Sequence, residues 1–288
     1  MKIVITGASG MLGQDVVEVL KVDGFLTFPF SHKELDITDM KAVYKILKDS
    51  KPDVIINCVA YTKVDKAEEE KTLAFKVNGL GVQNLSIACK EFDIPICHIS
   101  TDYVFDGNKK GSYTPFDTPN PINAYGLSKL AGEKYIQWIT NKFYIVRSSW
   151  LYGKGGKNFV NIILKLAKEK EEIRVVSDQI GSPTWTVNLA GFLSKLIQTG
   201  RYGLYHYTDK TDGGISWYEF AKKIIELSNF KTKVVPISTE GYPTPAKRPK
   251  NSVLDISMSE IILSVTPHFP RKCGVKWWDE ALYNCLRL

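Results

Sequence analysis

Residues 2–13 read KIVITGASGMLG, a strand-like run that ends in Gly7, Gly10 and Gly13, spaced three apart, and then enters an apolar helical pattern. Glycines at this spacing let the backbone turn sharply and approach a pyrophosphate, whose charge is stabilised by the unsatisfied N–H groups of a helix N-terminus. A glycine triplet alone is weak evidence. Its position between a first strand and a helix makes it a dinucleotide-binding signature rather than a turn kept only for packing.

Outward from this loop, strand-length apolar runs recur: GFLTFPF (24–30), DVIINCVA (53–60), IPICHIS (94–100) and FYIVRSS (143–149). They are nearly continuous rather than alternating, as expected of parallel strands covered on both faces. Helical spacing marks MLGQDVVEVLKV, MKAVYKILKD, TLAFKVNGLGVQNLSIACKEF and AYGLSKLAGEKYIQWI between them. The alternation predicts an α/β fold, a Rossmann-type doubly wound parallel sheet. Residues 1–150 form the expected dinucleotide-binding domain, with elements near 186–228 returning to it. Residues 151–185 and 229–288 are expected to form a smaller C-terminal substrate-binding domain. Within the latter, 236–252 (PISTEGYPTPAKRPKNS) reads either as an irregular ligand-facing loop or as a plain linker.

The 288-residue chain is 44% hydrophobic and 24% charged, the balance of an ordinary globular protein, and long enough to bury a substantial core. No run reaches the roughly 18 apolar residues of a spanning helix, and the chain opens directly on strand-like sequence, so a cytoplasmic protein without a membrane partner is expected. The net charge of +7 comes from lysines spread along helices without a basic block. Solvated helix faces explain it better than nucleic acid does, with an anionic small substrate as the second explanation. Cys58, Cys89, Cys97, Cys273 and Cys285 are odd in number and scattered, which suits reduced, buried thiols and no metal site.

The end of the second strand bears on the cofactor. An acid there would hold the ribose 2′-OH of NAD, but Ser31, His32 and Lys33 follow the strand instead, which favours NADPH with NADH as the alternative. Asp36 and Ile37 are candidates to meet the adenine, although Asp36 also lies in an ordinary helix-capping neighbourhood. Tyrosine and lysine stand four apart three times, at Tyr44/Lys48, Tyr125/Lys129 and Tyr218/Lys222. Ligands of wound sheets bind beyond the carboxyl ends of the strands, and only the second pair follows a strand ending in a hydroxyl residue, Thr101. Thr101, Tyr125 and Lys129 beside a dinucleotide suggest hydride transfer to a carbonyl: Thr101 to hydrogen-bond the oxygen, Tyr125 to protonate it, Lys129 to lower the phenol's pKa together with the cationic oxidised nicotinamide and to hold the nicotinamide ribose.

The motifs TGASGMLG, STDYVFDG and YGLSK resemble the extended short-chain dehydrogenase/reductases, most of which act on nucleotide sugars. More narrowly, NCVAYTKVDKAEEE (57–70), SSWLYGKGGKNFV (148–160), SDQIGSPTW (177–185) and YPTPAKRPKNSVLD (242–255) are similar to the dTDP-4-dehydrorhamnose reductase family, from residue 1 to about 255. The resemblance implies NAD(P)H-dependent reduction of the C4 ketone of dTDP-6-deoxy-L-lyxo-4-hexulose to dTDP-L-rhamnose. It implies catalytic roles for Thr101, Tyr125 and Lys129, and sugar contacts for Thr101, Asp102, Tyr125 and Trp150. Left to itself, Trp150 reads as a core or interface tryptophan. It implies that Gly10, Met11, Leu12, Asp36, Ile37, Ala60, Tyr61 and Thr62 line the cofactor, and that Gln179 in DQIGSPT and Arg248 face the nucleotide end. Some relatives bind metal through acidic side chains at a dimer interface; no such set is matched here, and a homodimer is left as a candidate arrangement. Two alternatives stay open: a non-catalytic NADP-binding regulatory subunit like the β subunit of methionine adenosyltransferase, and another nucleotide-sugar reductase or epimerase. Retention of Thr101, Tyr125 and Lys129 argues against the first. A dehydratase would add an acid pair beside the threonine, whereas Tyr103 follows Asp102.

Overall fold

A computed structural model describes residues 1–265 and 275–287. Six strands form one parallel sheet: β1 (Lys2–Thr6), β2 (Leu26–Phe30), β3 (Val54–Asn57), β4 (Ile96–Thr101), β5 (Phe143–Ser148) and, further along the chain, β10 (Gly203–His206). Their order across the sheet is β2-β1-β3-β4-β5-β10, so the direction of winding reverses between β1 and β3. The five early strands coincide with the predicted runs to within a few residues, and β4 extends one residue past its run to Thr101.

Strand parity explains the continuous apolar runs. Ile3, Ile5, Val54, Ile56, Cys97, Ile99, Tyr144 and Val146 pack on one face. There they meet α1 (Met11–Val22) and, from later in the chain, α7 (Thr186–Leu196). Val4, Ile55, Ile96 and Ile145 point the other way, into a second cluster with residues of α2 (Met40–Ser50), α4 (Gly81–Glu91) and α5 (Ala124–Ile139). Burying each Ile or Leu contributes about 1.5–3 kcal/mol against about 1 kcal/mol for a ladder hydrogen bond, so burial on both faces fixes the register. The expected long helix over 72–92 is continuous but not uniform: α3 (Lys71–Phe75) joins α4 through a π-helical turn at Lys76–Leu80.

Beyond residue 150 the pattern loosens because the elements are short. Three two-stranded ladders appear: β6 (Leu151–Tyr152) with β9 (Thr184–Trp185), β7 (Glu172–Val176) with β12 (Lys233–Ile237), and β8 (Ile180–Gly181) with β11 (Ile215–Ser216). With α6 (Phe159–Glu169), α8 (Trp217–Leu227) and α10 (Trp278–Arg287) they enclose a third cluster centred on Tyr152, Ile163, Phe220 and Ile224. Ser216 caps α8 in a reciprocal capping box with Glu219. Within 186–228, α7 and β10 join the large sheet layer, whereas α8 packs against α6, β7 and β12. Conversely α9 (Ser257–Val265) leaves the C-terminal segment to pack on α7 and β10.

The 236–252 segment is neither a free linker nor wholly irregular. Its first residues complete β12, Asn251 bridges to Ile180, Asn123 Nδ2 donates to Lys247 O at 2.9 Å, and Arg248 pairs with Asp65. Cys58, Cys89, Cys97 and Cys285 are free thiols, and Cys273 lies outside the described residues. Burial pushes the Cys58 thiol up to about 12.

Candidate active site

The glycine loop closes on itself. Gly7 has φ +71°, where a Cβ would also strike Val59 N at 2.8 Å, and a Cβ on Gly13 would lie 2.2 Å from Gly7 O, so helix α1 can approach the loop only because Gly13 lacks a side chain. Gly10 occupies the N-cap of α1 without any side-chain cap, which leaves the first amides, those of Met11 and Leu12 among them, for an outside anion. Loop and helix start stand beside the β1/β3 reversal, where wound sheets bind ligands.

At the end of β2, Ser31 N and Oγ both donate to Glu34 Oε2, at 2.8 and 2.7 Å. The first acid after the strand is therefore folded back onto Ser31, while His32 and Lys33 are exposed beside it. This end of the sheet suits a 2′-phosphate better than a bare ribose hydroxyl. Asp36 does not cap the helix: its Oδ1 accepts from Thr38 N at 2.9 Å in a local turn, and Asp39 caps α2. The side chain of Ile37 is 1% exposed and packed in the core, and its carbonyl accepts from Asn84, so Ile37 does not present a side chain to an adenine.

Ala60, Tyr61 and Thr62 follow β3 and are held by Asn78 in the π turn. Asn78 accepts from Tyr61 N at 2.8 Å, donates to Tyr61 O at 3.1 Å and donates to Ser128 Oγ of α5 at 2.9 Å. Asn78 was missed in the sequence because a single amide within an amphipathic helix carries no periodic signal.

Thr101 ends β4, 6% exposed, and its hydroxyl donates to Asp102 Oδ1 at 3.0 Å. Asn123 caps α5 by accepting from Gly126 N at 2.7 Å, which sets Tyr125 and Lys129 one turn apart on the face toward β4. The phenol of Tyr125 lies near enough to Thr101 for that hydroxyl to pull its pKa down, and its ring meets the Tyr103 ring edge-on at 5.9 Å. Lys129, 1% exposed, donates from Nζ to Ile99 O at 2.7 Å.

Lys129 is not among the groups that set the phenol's pKa here. Burial pushes Tyr125 up to about 12, against the pull of the Thr101 hydroxyl, and Asp102 adds to the rise. Burial also takes Lys129 down to about 8, opposed by Glu133 and Cys58. Asp102, 3% exposed, is raised by burial to about 7 despite Ser252 and Thr101 nearby, and its Oδ2 makes no hydrogen bond. A phenol that keeps its proton and an unsatisfied carboxyl oxygen thus stand at one strand end.

Trp150 follows β5 with φ +48°, a left-handed conformation that costs a non-glycine residue about 1–3 kcal/mol. Its ring stacks on Trp217 with centroids 3.5 Å apart and planes 10° off parallel, over Gly181. Trp217, at the start of α8, gives no sign of this in the sequence. Gln179 Nε2 donates to Thr239 Oγ1 at 3.0 Å. Arg248 is committed elsewhere in this state: it forms a forked pair with Asp65, at 2.5 and 2.8 Å, and donates to Ala246 O. Tyr44 and Lys48 lie on α2, where the Tyr44 hydroxyl donates to Glu91, and Tyr218 and Lys222 lie on α8, away from the strand ends. Among the described residues no group of three or more His, Cys, Asp or Glu side chains could hold a metal ion, and no helix is long and apolar enough to cross a membrane.

Sheet, glycine loop and the hydroxyl, phenol and ammonium set define a class, the Rossmann-type nucleotide-dependent oxidoreductases. Comparison narrows it. The family described as RmlD substrate binding domain matches residues 1–276, and the chain belongs to that family. It is 40% identical to a dTDP-4-dehydrorhamnose reductase of Aggregatibacter actinomycetemcomitans, over 98% of this chain and 97% of that one. It is also 40% identical to the spore coat polysaccharide biosynthesis protein SpsK of Bacillus subtilis, over 99% and 97%. The crystal structure of a dTDP-4-dehydrorhamnose reductase from Bacillus anthracis in complex with NADP superposes with a TM-score of 0.92, at 43% identity, over 99% and 98% of the two chains.

Proposed function

We propose that this protein is an NADPH-dependent reductase that converts the C4 ketone of dTDP-6-deoxy-L-lyxo-4-hexulose to the alcohol, giving dTDP-L-rhamnose. The observation that carries the reading is the meeting of Thr101, Tyr125 and Lys129 at the carboxyl end of β4, beside a glycine loop whose helix start is uncapped. Full-length similarity to reductases of this name supports it, and retention of the whole triad disfavours a regulatory subunit.

The residues present fit the cofactor. Gly7, Gly10, Met11, Leu12 and Gly13 would hold its pyrophosphate, and Ser31, His32 and Lys33 the 2′-phosphate side; Asp36 and residues 60–62 would line the adenosine, with Ile37 contributing packing behind it. When bound, NADPH supplies the hydride that reduces C4. Thr101 would donate a hydrogen bond to the C4 oxygen and Tyr125 would deliver its hydroxyl proton there, leaving a phenolate that Lys129 stabilises until solvent returns the proton. Asp102 and Trp150 would orient the sugar, and Gln179 the nucleotide end. Arg248 would bind diphosphate only on leaving or sharing Asp65. A homodimer belongs to the same reading, with Leu73, Phe75, Leu80 and Leu127, exposed on α3, the π turn and α5, as available apolar surface.

Purified protein should consume NADPH in the presence of the dTDP-linked 4-keto sugar and turn over UDP- or GDP-linked analogues at least about tenfold less efficiently. NADPH binding with no turnover of any 4-keto sugar nucleotide would instead restore the regulatory reading.

A further inference from the structure

Lys129 has a neighbour besides the Ile99 carbonyl. On the inner side of its Nζ, 3.3 Å away, stands Nε2 of His98, a fully buried imidazole of β4 that the reaction above does not use. Which atom carries the ring proton can be worked out from the neighbours. Val59 N, which can only donate, lies 3.1 Å from Asn57 Oδ1, and Thr6 Oγ1 donates to the same oxygen at 2.7 Å. The amide of Asn57 is thereby oriented, and its Nδ2 donates to His98 Nδ1 at 2.9 Å. A neutral imidazole that accepts at Nδ1 must carry its hydrogen on Nε2, and so it points a donor at Lys129.

We propose that His98 is a positioning residue for Lys129: the Thr6–Asn57 pair locks the imidazole in the tautomer that aims Nε2–H at Nζ, so the contact both fixes the amine and disfavours its protonation. An ammonium offers no lone pair to that N–H, whereas a neutral amine accepts it while still donating to Ile99 O. The titratable groups that act on Nζ besides His98 are Cys58, from the segment after β3, and Glu133, one turn later on α5; Tyr125 stands one turn earlier on the same helix. Glu133 is itself held in a forked pair by Arg147 of β5, at 2.9 and 2.6 Å, so much of its charge is already matched. Lys129 loses its charge as pH rises through about 8. His98 in turn stays neutral, because burial and the neighbouring Lys129 hold its pKa well below the usual value. Replacing the N–H by an acceptor would raise the pH at which Lys129 loses its proton.

The inference draws its functional weight from the reading of Lys129 above, but its test needs no turnover, and its first readout needs no cofactor. In cofactor-free protein labelled with 15N at histidine and lysine side chains, with Lys129→Met to assign the Nζ resonance, His98 should show the Nε2–H tautomer from about pH 6 to 9. His98→Gln, whose amide oxygen can accept from an ammonium, should move the Nζ midpoint up by about one pH unit. His98→Asn, which keeps an acceptor for Asn57 but removes the N–H facing Nζ, should move it in the same direction. The pH dependence of the NADPH dissociation constant, read by fluorescence, should follow the midpoint. An Nδ1–H tautomer in the wild type, or an unmoved midpoint in folded variants, would overturn the proposal; if neither variant folds, the wild-type tautomer decides it.

Discussion

Tyr125 has its phenol pushed up to about 12, which suits a proton donor and not a base: at neutral pH the hydroxyl keeps its proton until an oxyanion begins to form beside it. Tyr125→Phe is expected to remove at least about 99% of turnover, as loss of a general acid does, while the dissociation constant for NADPH changes less than about threefold. Stopped-flow NADPH oxidation together with equilibrium fluorescence titration measures both, and full turnover in the variant would remove Tyr125 from the chemistry. The identity of this pair was legible early because Thr101 ends a strand and Tyr125 follows the loop from it. Its electrostatics were not legible. Spacing places Lys129 one turn from Tyr125, but burial, which sequence spacing does not report, governs both titrations.

The elements of the sheet half were predictable because their hydrophobic pattern is local, two faces for strands and one for helices. Those that hold Trp150 were not. β6, β8, β9 and β11 are two residues each and owe their existence to partners far along the chain, such as Ile180 with Ser216 and Leu151 with Thr184. Gly181 in β8 shows what these short pieces do. A Cβ there would come within 2.6 Å of Trp150 Cε2 and would displace the ring from its stack on Trp217. Gly181→Ala should therefore raise KM for the sugar nucleotide about tenfold, equivalent to about 1.4 kcal/mol, with NADPH affinity unchanged. Steady-state kinetics with the sugar varied at saturating NADPH reads it, and an unchanged KM would show that the indole does not meet the substrate.

Across the molecule, one buried ionic network joins the sheet to the helix that bears the phenol. Glu133 of α5 is 1% exposed and Arg147 of β5 is 2% exposed; Ser100 Oγ of β4 donates to Glu133 at 2.5 Å, and the guanidinium lies over the Phe105 ring at 5.0 Å. Removing one charge leaves the other buried without a partner, a cost of about 3–5 kcal/mol, whereas exchanging both for apolar groups of similar volume costs far less. Glu133→Gln is expected to lower unfolding stability by that amount and Glu133→Leu with Arg147→Met by less, as compared in urea denaturation. A loss below about 1 kcal/mol in the single variant would show that water reaches the pair.

By itself the sequence determined the wound parallel sheet, its glycine loop and which tyrosine and lysine meet the end of β4, because each depends on patterns a few residues long. The tertiary structure decided the rest. It put His98, Ser100 and Arg147, one parity of two neighbouring strands, against Lys129 and Glu133 of α5; it folded Glu34 back onto Ser31; and it tied Arg248 to Asp65. Proton positions and ion pairs depend on what lies across a gap of three ångströms, and residues as far as 183 positions apart in the chain come together there only once the layers have packed.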